Sequence, residues 1–204
     1  MASQDSEILE CHRLDPFDAD CLEQIREAFT GATPLTMRQA WRTEPEPGFL
    51  PATIRTGWRD DSLLIFAELP DADIFNAATA LNQETWLLGD VLEVFLQAEG
   101  QAGYVEFQVT PGNILFQKSF LENGPAQLIP GRAFDSQTWI DRGAQCWWVY
   151  MEIPALPANR RWRFSFSRYD YTRDRPHPII SSTSAHAEPD FHRVHEWGTL
   201  CLQP

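Results

Sequence analysis

The chain has 204 residues, 43% of them hydrophobic and including 8 Trp and 13 Phe, which suits one domain with a sizeable core. Lys and Arg total 16 against 29 Asp and Glu, and the resulting net charge of −13 repels nucleic-acid phosphates and anionic membrane surfaces. Both are therefore excluded as partners.

Cys11, Cys21, Cys146 and Cys201 form no CxxC pair and no metal spacing; Cys146 and Cys201 read as buried reduced thiols in strands. The acidic start MASQDSEILE lacks a basic region and an apolar core, and no apolar run reaches the roughly 20 residues of a membrane span. A cytoplasmic location is expected.

Ile8 and Leu9 can open a strand. Asp15-Pro16 then begins a helical period through Phe17, Cys21, Leu22, Ile25 and Phe29, with Asp15 as N-cap and Gly31 as the stop. TEPEPGFLPA, with Pro45, Pro47 and Pro51, is an irregular connection. Ala52–Trp58 and Ser62–Leu69 form a hairpin around Arg59-Asp60-Asp61. The polar stretch from Pro70 to Thr85 is a long loop of the kind that is usually functional.

Val91–Leu96 and Tyr104–Val109 pair across QAEGQAG, where Gly100 and Gly103 can take positive φ. Pairing Phe95 with Tyr104 sets Glu93 against Glu106 and Val91 against Gln108. One sheet face then carries two acids, an amide and a phenol, with Asp90 nearby and Trp86 at its mouth. Like charges facing each other are destabilising, so this face is solvated or meets a polar ligand.

Ile114–Phe120 follows, then a turn at Glu122-Asn123-Gly124 and a patch rich in proline and glycine. Further strands are expected over Thr138–Arg142, Gln145–Ile153, Arg161–Asp170 and Glu196–Leu202. Along Arg161–Asp170, Trp162, Phe164, Phe166 and Arg168 alternate with Arg163, Ser165, Ser167 and Tyr169. The pattern is all-β: an antiparallel β-sandwich of immunoglobulin-like or jelly-roll type with a short N-terminal helix. Residues 1–32 form an extension and residues 33–204 the sandwich.

Among the residues that carry chemistry, Trp86 is a stacking platform or a core residue. Glu93 and Glu106 fit an acid/base pair, calcium ligands, acceptors for sugar hydroxyls or a solvated face. Arg168 on an aromatic face calls for a carboxylate such as Glu93 or Asp90, or acts as a ligand clamp. His177, His186, His192 and His195 offer only an HxxH pair without a third ligand, so no metal site is expected. Ser181, Ser182 and Ser184 lie near histidines, yet no GxSxG elbow, GxGxxG or P-loop is present.

The order of these pieces resembles the carbohydrate-binding module family 9-like domains. The likeness is carried by Trp58-Arg59-Asp60-Asp61-Ser62-Leu63-Leu64, then Trp86 with Asp90 to Leu96, and Tyr104-Val105-Glu106-Phe107. Pro111-Gly112, Trp162 through Arg168, Phe191-His192 and Trp197-Gly198-Thr199-Leu200 complete it, covering residues 33–202. The resemblance implies a β-sandwich in which two tryptophans clamp a terminal sugar ring while an acid, an arginine and amides bind its hydroxyls.

Trp86 matches the first tryptophan, and Phe191 stands at the second. Glu93 matches the hydroxyl-binding acid, and Gln108 stands in the arginine's place. Members of the family hold structural calcium, for which this chain shows no convincing ligand set, so no cofactor is expected, with calcium kept as the one alternative.

Together these readings imply non-catalytic binding of a mono- or oligosaccharide through Trp86, Glu93, Glu106, Gln108, Arg168, Phe191 and His192. The alternatives are a carbohydrate-active hydrolase using Glu93 and Glu106, and an interaction module whose sugar site has decayed.

Overall fold

The computed structural model describes residues 8–154 and 161–203. In chain order the strands are β1 (Ile8–Cys11), β2 (Leu35–Thr36), β3 (Thr53–Arg59), β4 (Ser62–Pro70), β5 (Val91–Ala98), β6 (Tyr104–Val109) and β7 (Leu115–Phe120). They continue with β8 (Gln127–Leu128), β9 (Asp135–Asp141), β10 (Cys146–Ile153), β11 (Arg161–Asp170), β12 (Ile179–Ser182) and β13 (Gly198–Leu202). Eight strands form one sheet in the order β1-β13-β11-β5-β6-β7-β8, with β12 also on β11; five form a second, in the order β2-β3-β4-β10-β9. Apart from the parallel pair β1–β13, the strand pairs of both sheets are antiparallel. This is the expected β-sandwich.

Alternation along each strand builds the core. Leu92, Val94 and Leu96 of β5, Phe107 and Val109 of β6, and Trp162, Phe164 and Phe166 of β11 join one buried cluster. Leu63, Ile65, Ala67 and Leu69 of β4 and Trp147, Val149, Met151 and Ile153 of β10 complete it from the other sheet. Burying side chains of this size contributes about 1.5–3 kcal/mol each, which is why period-2 patterns dominate the sequence. At the β3–β4 turn, Asp60 and Asp61 take positive φ (49° and 63°), a conformation short polar side chains tolerate in a tight hairpin.

The outer face of the five-stranded sheet is covered by α1 (Leu22–Ala28): Ile25 and the following Phe29 pack on Leu64, Phe66 and Tyr150. This helix is shorter than the sequence period suggests. Its N-cap is Cys21, without a side-chain cap bond, and Asp15-Pro16 lie ahead of it, after Leu14, whose N–H donates to the Trp58 carbonyl (3.0 Å). All four cysteines are free thiols; Cys11 is buried, whereas Cys146 and Cys201 are only half-buried. No helix among the described residues is long and apolar enough to cross a membrane.

The β5–β6 register differs from expectation. Glu93 pairs with Gln108 and Phe95 with Glu106, a slip of two residues. An even slip keeps every side chain on its expected face. The outer face of the eight-stranded sheet therefore still collects the polar residues.

Candidate functional site

Four neighbouring strands lay a polar and aromatic floor on that outer face. Register places Ser167 of β11 beside Glu93 of β5, Glu93 beside Gln108 of β6, and Gln108 beside Phe116 of β7. One step along, Glu106 lies across from Lys118, and beyond it Tyr104 lies across from Phe120. Phe116, Lys118 and Phe120 alternate on one strand, so Phe116 and Phe120 stand about 13 Å apart along it, with the Glu106–Lys118 pair between them.

Gln108 is the fixed point. Its buried amide nitrogen donates to Oε1 of Glu93 (2.7 Å) and to Oε1 of Glu106, and its carbonyl accepts from the Thr85 hydroxyl. Both acids are nearly buried, Glu93 at 3% and Glu106 at 5% exposure. Burial, then repulsion by Glu106, holds the Glu93 carboxyl well above its ordinary value. Burial raises Glu106 to about 7, against the opposing effects of the Gln108 hydrogen bond and the Lys118 charge.

Thr85 opens a short helical turn, Thr85–Leu87, that sets Trp86 over this floor. The Trp86 ring meets Phe116 edge-on at 5.0 Å between centroids, and its carbonyl accepts from the Tyr171 hydroxyl (2.7 Å). The long loop ahead of it is pinned from below. Asp90 accepts from the Phe75 and Tyr171 amides (2.6 and 2.8 Å), and Asn76 donates to the Thr85 and Asp90 carbonyls (2.9 and 3.0 Å). Gly89, at φ 141°, permits this closure, since a Cβ there would collide with the Phe75 carbonyl.

A second aromatic group stands on the Phe120 side. Tyr104 stacks on Phe120 at 4.5 Å and 10°, and the His192 ring packs on Phe120 at 5.0 Å and on Phe95 at 5.2 Å. His192 Nδ1 lies 2.9 Å from the Tyr104 hydroxyl. Desolvation within this packing lowers the His192 pKa, and desolvation raises Tyr104 to about 12.

The segment that carries His192 is held by Glu196, whose carboxylate accepts from Arg193 (2.8 Å at both Nε and Nη2) and from the Ala187 amide (3.1 Å), with His186 Nδ1 at 3.2 Å. These bonds, that of Arg193 foremost, lower Glu196 to about 2.

Between the two groups lies a cleft of about 390 Å³. Of the residues the sequence singled out, Trp86, Glu93, Glu106, Phe191 and His192 line it. Gln108 lies beneath, fully buried. Phe191 is 4% exposed and packs against Trp41, Tyr169 and His186, so it closes a wall rather than standing free as a platform. Lys118, Phe116, Phe120, Tyr169 and Asp190 also line the cleft and were missed. The alternation of Phe116, Lys118 and Phe120 in LFQKSF was a readable signal for three of them, once β7 is paired to β6.

Arg168 is not in the cleft. Alternation puts it on the core face of β11 with Trp162, Phe164 and Phe166, and it is fully buried. Its guanidinium donates to the Pro70 carbonyl (2.7 Å) and Asp71 (3.1 Å) and lies 3.3 Å from Asp170; its Nε has no hydrogen-bond partner among the described residues. Its carboxylate partners are thus Asp71 and Asp170, not Glu93.

Carboxylate oxygens of Asp71, Asp90 and Asp170 lie within 4.8 Å of one another, a grouping that suits a cation. The Arg168 guanidinium already occupies that place, hydrogen-bonded to Asp71 and ion-paired with Asp170, so the residues present do not fit a calcium ion. Burial and the neighbouring Asp71 raise Asp90 to about 8, and burial raises Asp170 to about 6 against the pull of Arg168.

No protein-family model and no curated protein matches the chain. Among solved structures it is similar to a candidate carbohydrate-binding protein from Bacteroides uniformis ATCC 8492, at 15% identity and a TM-score of 0.79, covering 97% of this chain and 100% of that one. It is also similar to a carbohydrate-binding module family 9 from Caldicellulosiruptor kristjanssonii. In complex with cellotriose that structure gives 14% identity, a TM-score of 0.66 and coverage of 97% and 94%. In complex with glucose it gives 13%, 0.63, and coverage of 97% and 96%. The chain thus has the fold of the family 9 carbohydrate-binding modules.

Proposed function

We propose that the protein binds a mono- or oligosaccharide in the cleft without transforming it. The observation that carries this reading is a pair of nearly buried acids, Glu93 and Glu106, cross-linked by Gln108 at the base of an aromatic-lined cleft. A sugar ring presents C–H faces that lie against Trp86 and its neighbours, and hydroxyls that both donate to and accept from the two carboxyls. That structures of the same fold were solved with cellotriose and with glucose supports the choice of ligand class.

Hydrolysis by the same pair would need one acid protonated and the other ionised, through environments that push their pKa values apart. Here both are raised and both accept from one amide, which favours binding over a division of catalytic roles.

The test is calorimetric titration of the purified chain with glucose and cello-oligosaccharides, repeated on Trp86→Ala. Removal of the indole is expected to weaken binding about tenfold or more, equivalent to about 1.4 kcal/mol. Unchanged affinity for every sugar the wild type binds would sink the reading.

A further inference from the structure

The cleft is built for more than hydroxyls. Glu93 and Glu106 each spend one oxygen on the Gln108 amide, and no described residue donates to Oε2 of either, although both side chains line the cleft. Asp190 adds a third carboxylate at the rim. Against them stands Lys118, the one lysine or arginine among the described lining residues, whose ammonium lies 5.5 Å from the Phe120 ring centroid. The remaining lining is largely aromatic: Trp86, Phe116, Phe120, Tyr169 and Phe191.

Two adjacent carboxyls with free second oxygens beneath aromatic rings are an environment for an ammonium group, whose charge draws them into the ionised form. The carboxylates offer charge-assisted hydrogen bonds, and the negative ring faces attract the cation as well. A neutral sugar leaves both acids raised by burial and mutual repulsion, whereas an ammonium between them offsets both effects and draws them into the ionised form.

From this geometry we propose that the cleft selects sugars bearing a protonated amine, with the ammonium held between the second oxygens of Glu93 and Glu106 and the ring against the aromatic lining. This rests on the reading that the cleft binds a sugar. Lys118 is then the competing internal cation, so its removal strengthens amine binding.

The experiment compares glucosamine, glucose and N-acetylglucosamine by calorimetry on the full chain at low salt and about pH 7, where the free amine is largely protonated. Glucosamine is expected to bind about tenfold more tightly than glucose, and N-acetylglucosamine, whose amine carries no charge, to lose that advantage. Glu93→Gln and Glu106→Gln, which keep side-chain shape, are expected to reduce the preference to about threefold or less, and Lys118→Met to enlarge it.

Equal binding of glucosamine and glucose would overturn this inference and leave the carbohydrate reading standing. No binding of any of the three, or of cello-oligosaccharides, would overturn both. The comparison of the three sugars on the wild-type chain needs no variant to fold.

Discussion

Gln108 decides the chemistry of the cleft at the scale of single residues. Its two amide protons reach two acids that repel each other, and Thr85 fixes which way the amide points. The consequence is measurable in stability. A carboxyl whose folded-state pKa lies above its unfolded value contributes stability that is complete below the unfolded value and is lost as pH rises through the folded one. For Glu106 that window runs from the ordinary 4.5 to about 7.

Glu106→Gln imitates the protonated acid at every pH. Its melting temperature is expected to decline less between about pH 5 and pH 8 than that of the wild type, the difference corresponding to about 1–3 kcal/mol. Parallel profiles would show that Glu106 ionises in the fold as it does in water. Glu106 and Gln108 were legible because strict alternation along YVEFQV gives their face, and Glu93 because an even-numbered register error on β5 keeps it on that same face. Arg168 was legible only in part: alternation places it on the core face, but its partner Asp71 comes 97 residues earlier in the chain and no local pattern joins them.

Among the elements, the segment from His186 to Glu196 lies outside the strands and closes on a short helical turn, Val194–Glu196. It delivers Asp190, Phe191 and His192 to the cleft, and Glu196 gathers three of its donors. Neutralising that hub with Glu196→Gln weakens the charge-assisted bonds to Arg193 and leaves the sheets untouched. The Ala187 amide is expected to exchange hydrogen about tenfold faster or more, while β5 and β6 amides keep their protection. Unchanged exchange at Ala187 would mean that the segment is held by aromatic packing alone.

The long strands were readable as elements, because seven to ten alternating residues outweigh any single propensity. The edge pieces β2 and β8, of two residues each, were not, since they exist only by pairing with β3 and β7. The β5–β6 register was misplaced by two residues because the glycine-rich turn admits several loop lengths, and hydrophobic alternation cannot distinguish registers that differ by an even number.

For the molecule as a whole, the raised acids and the net charge of −13 act in one direction. Asp90 at about 8, Asp170 at about 6, Glu106 at about 7 and the raised Glu93 each favour the fold when protonated, so each contribution is lost as pH climbs through its folded value. The net charge adds self-repulsion as these groups ionise.

Glu196 opposes them. Its folded value of about 2 gives stability that is present above its ordinary 4.5 and lost as pH falls towards 2. His186 and His192, held below their ordinary 6.5 chiefly by burial, also favour the fold when neutral, so their contribution fades as pH drops below that value. The gain from Glu196 ends at its ordinary 4.5, where the losses from the four raised acids have begun and outnumber the two histidines, so the stability maximum lies at about pH 4–5, below neutrality.

Melting curves across pH should therefore peak there and fall towards pH 8, and added salt should recover part of the loss at pH 8 by screening exposed charge. The buried acids are screened far less, so recovery should be incomplete. A maximum at pH 8, or complete recovery by salt, would place the cost of alkaline pH on the exposed surface rather than on the buried carboxyls.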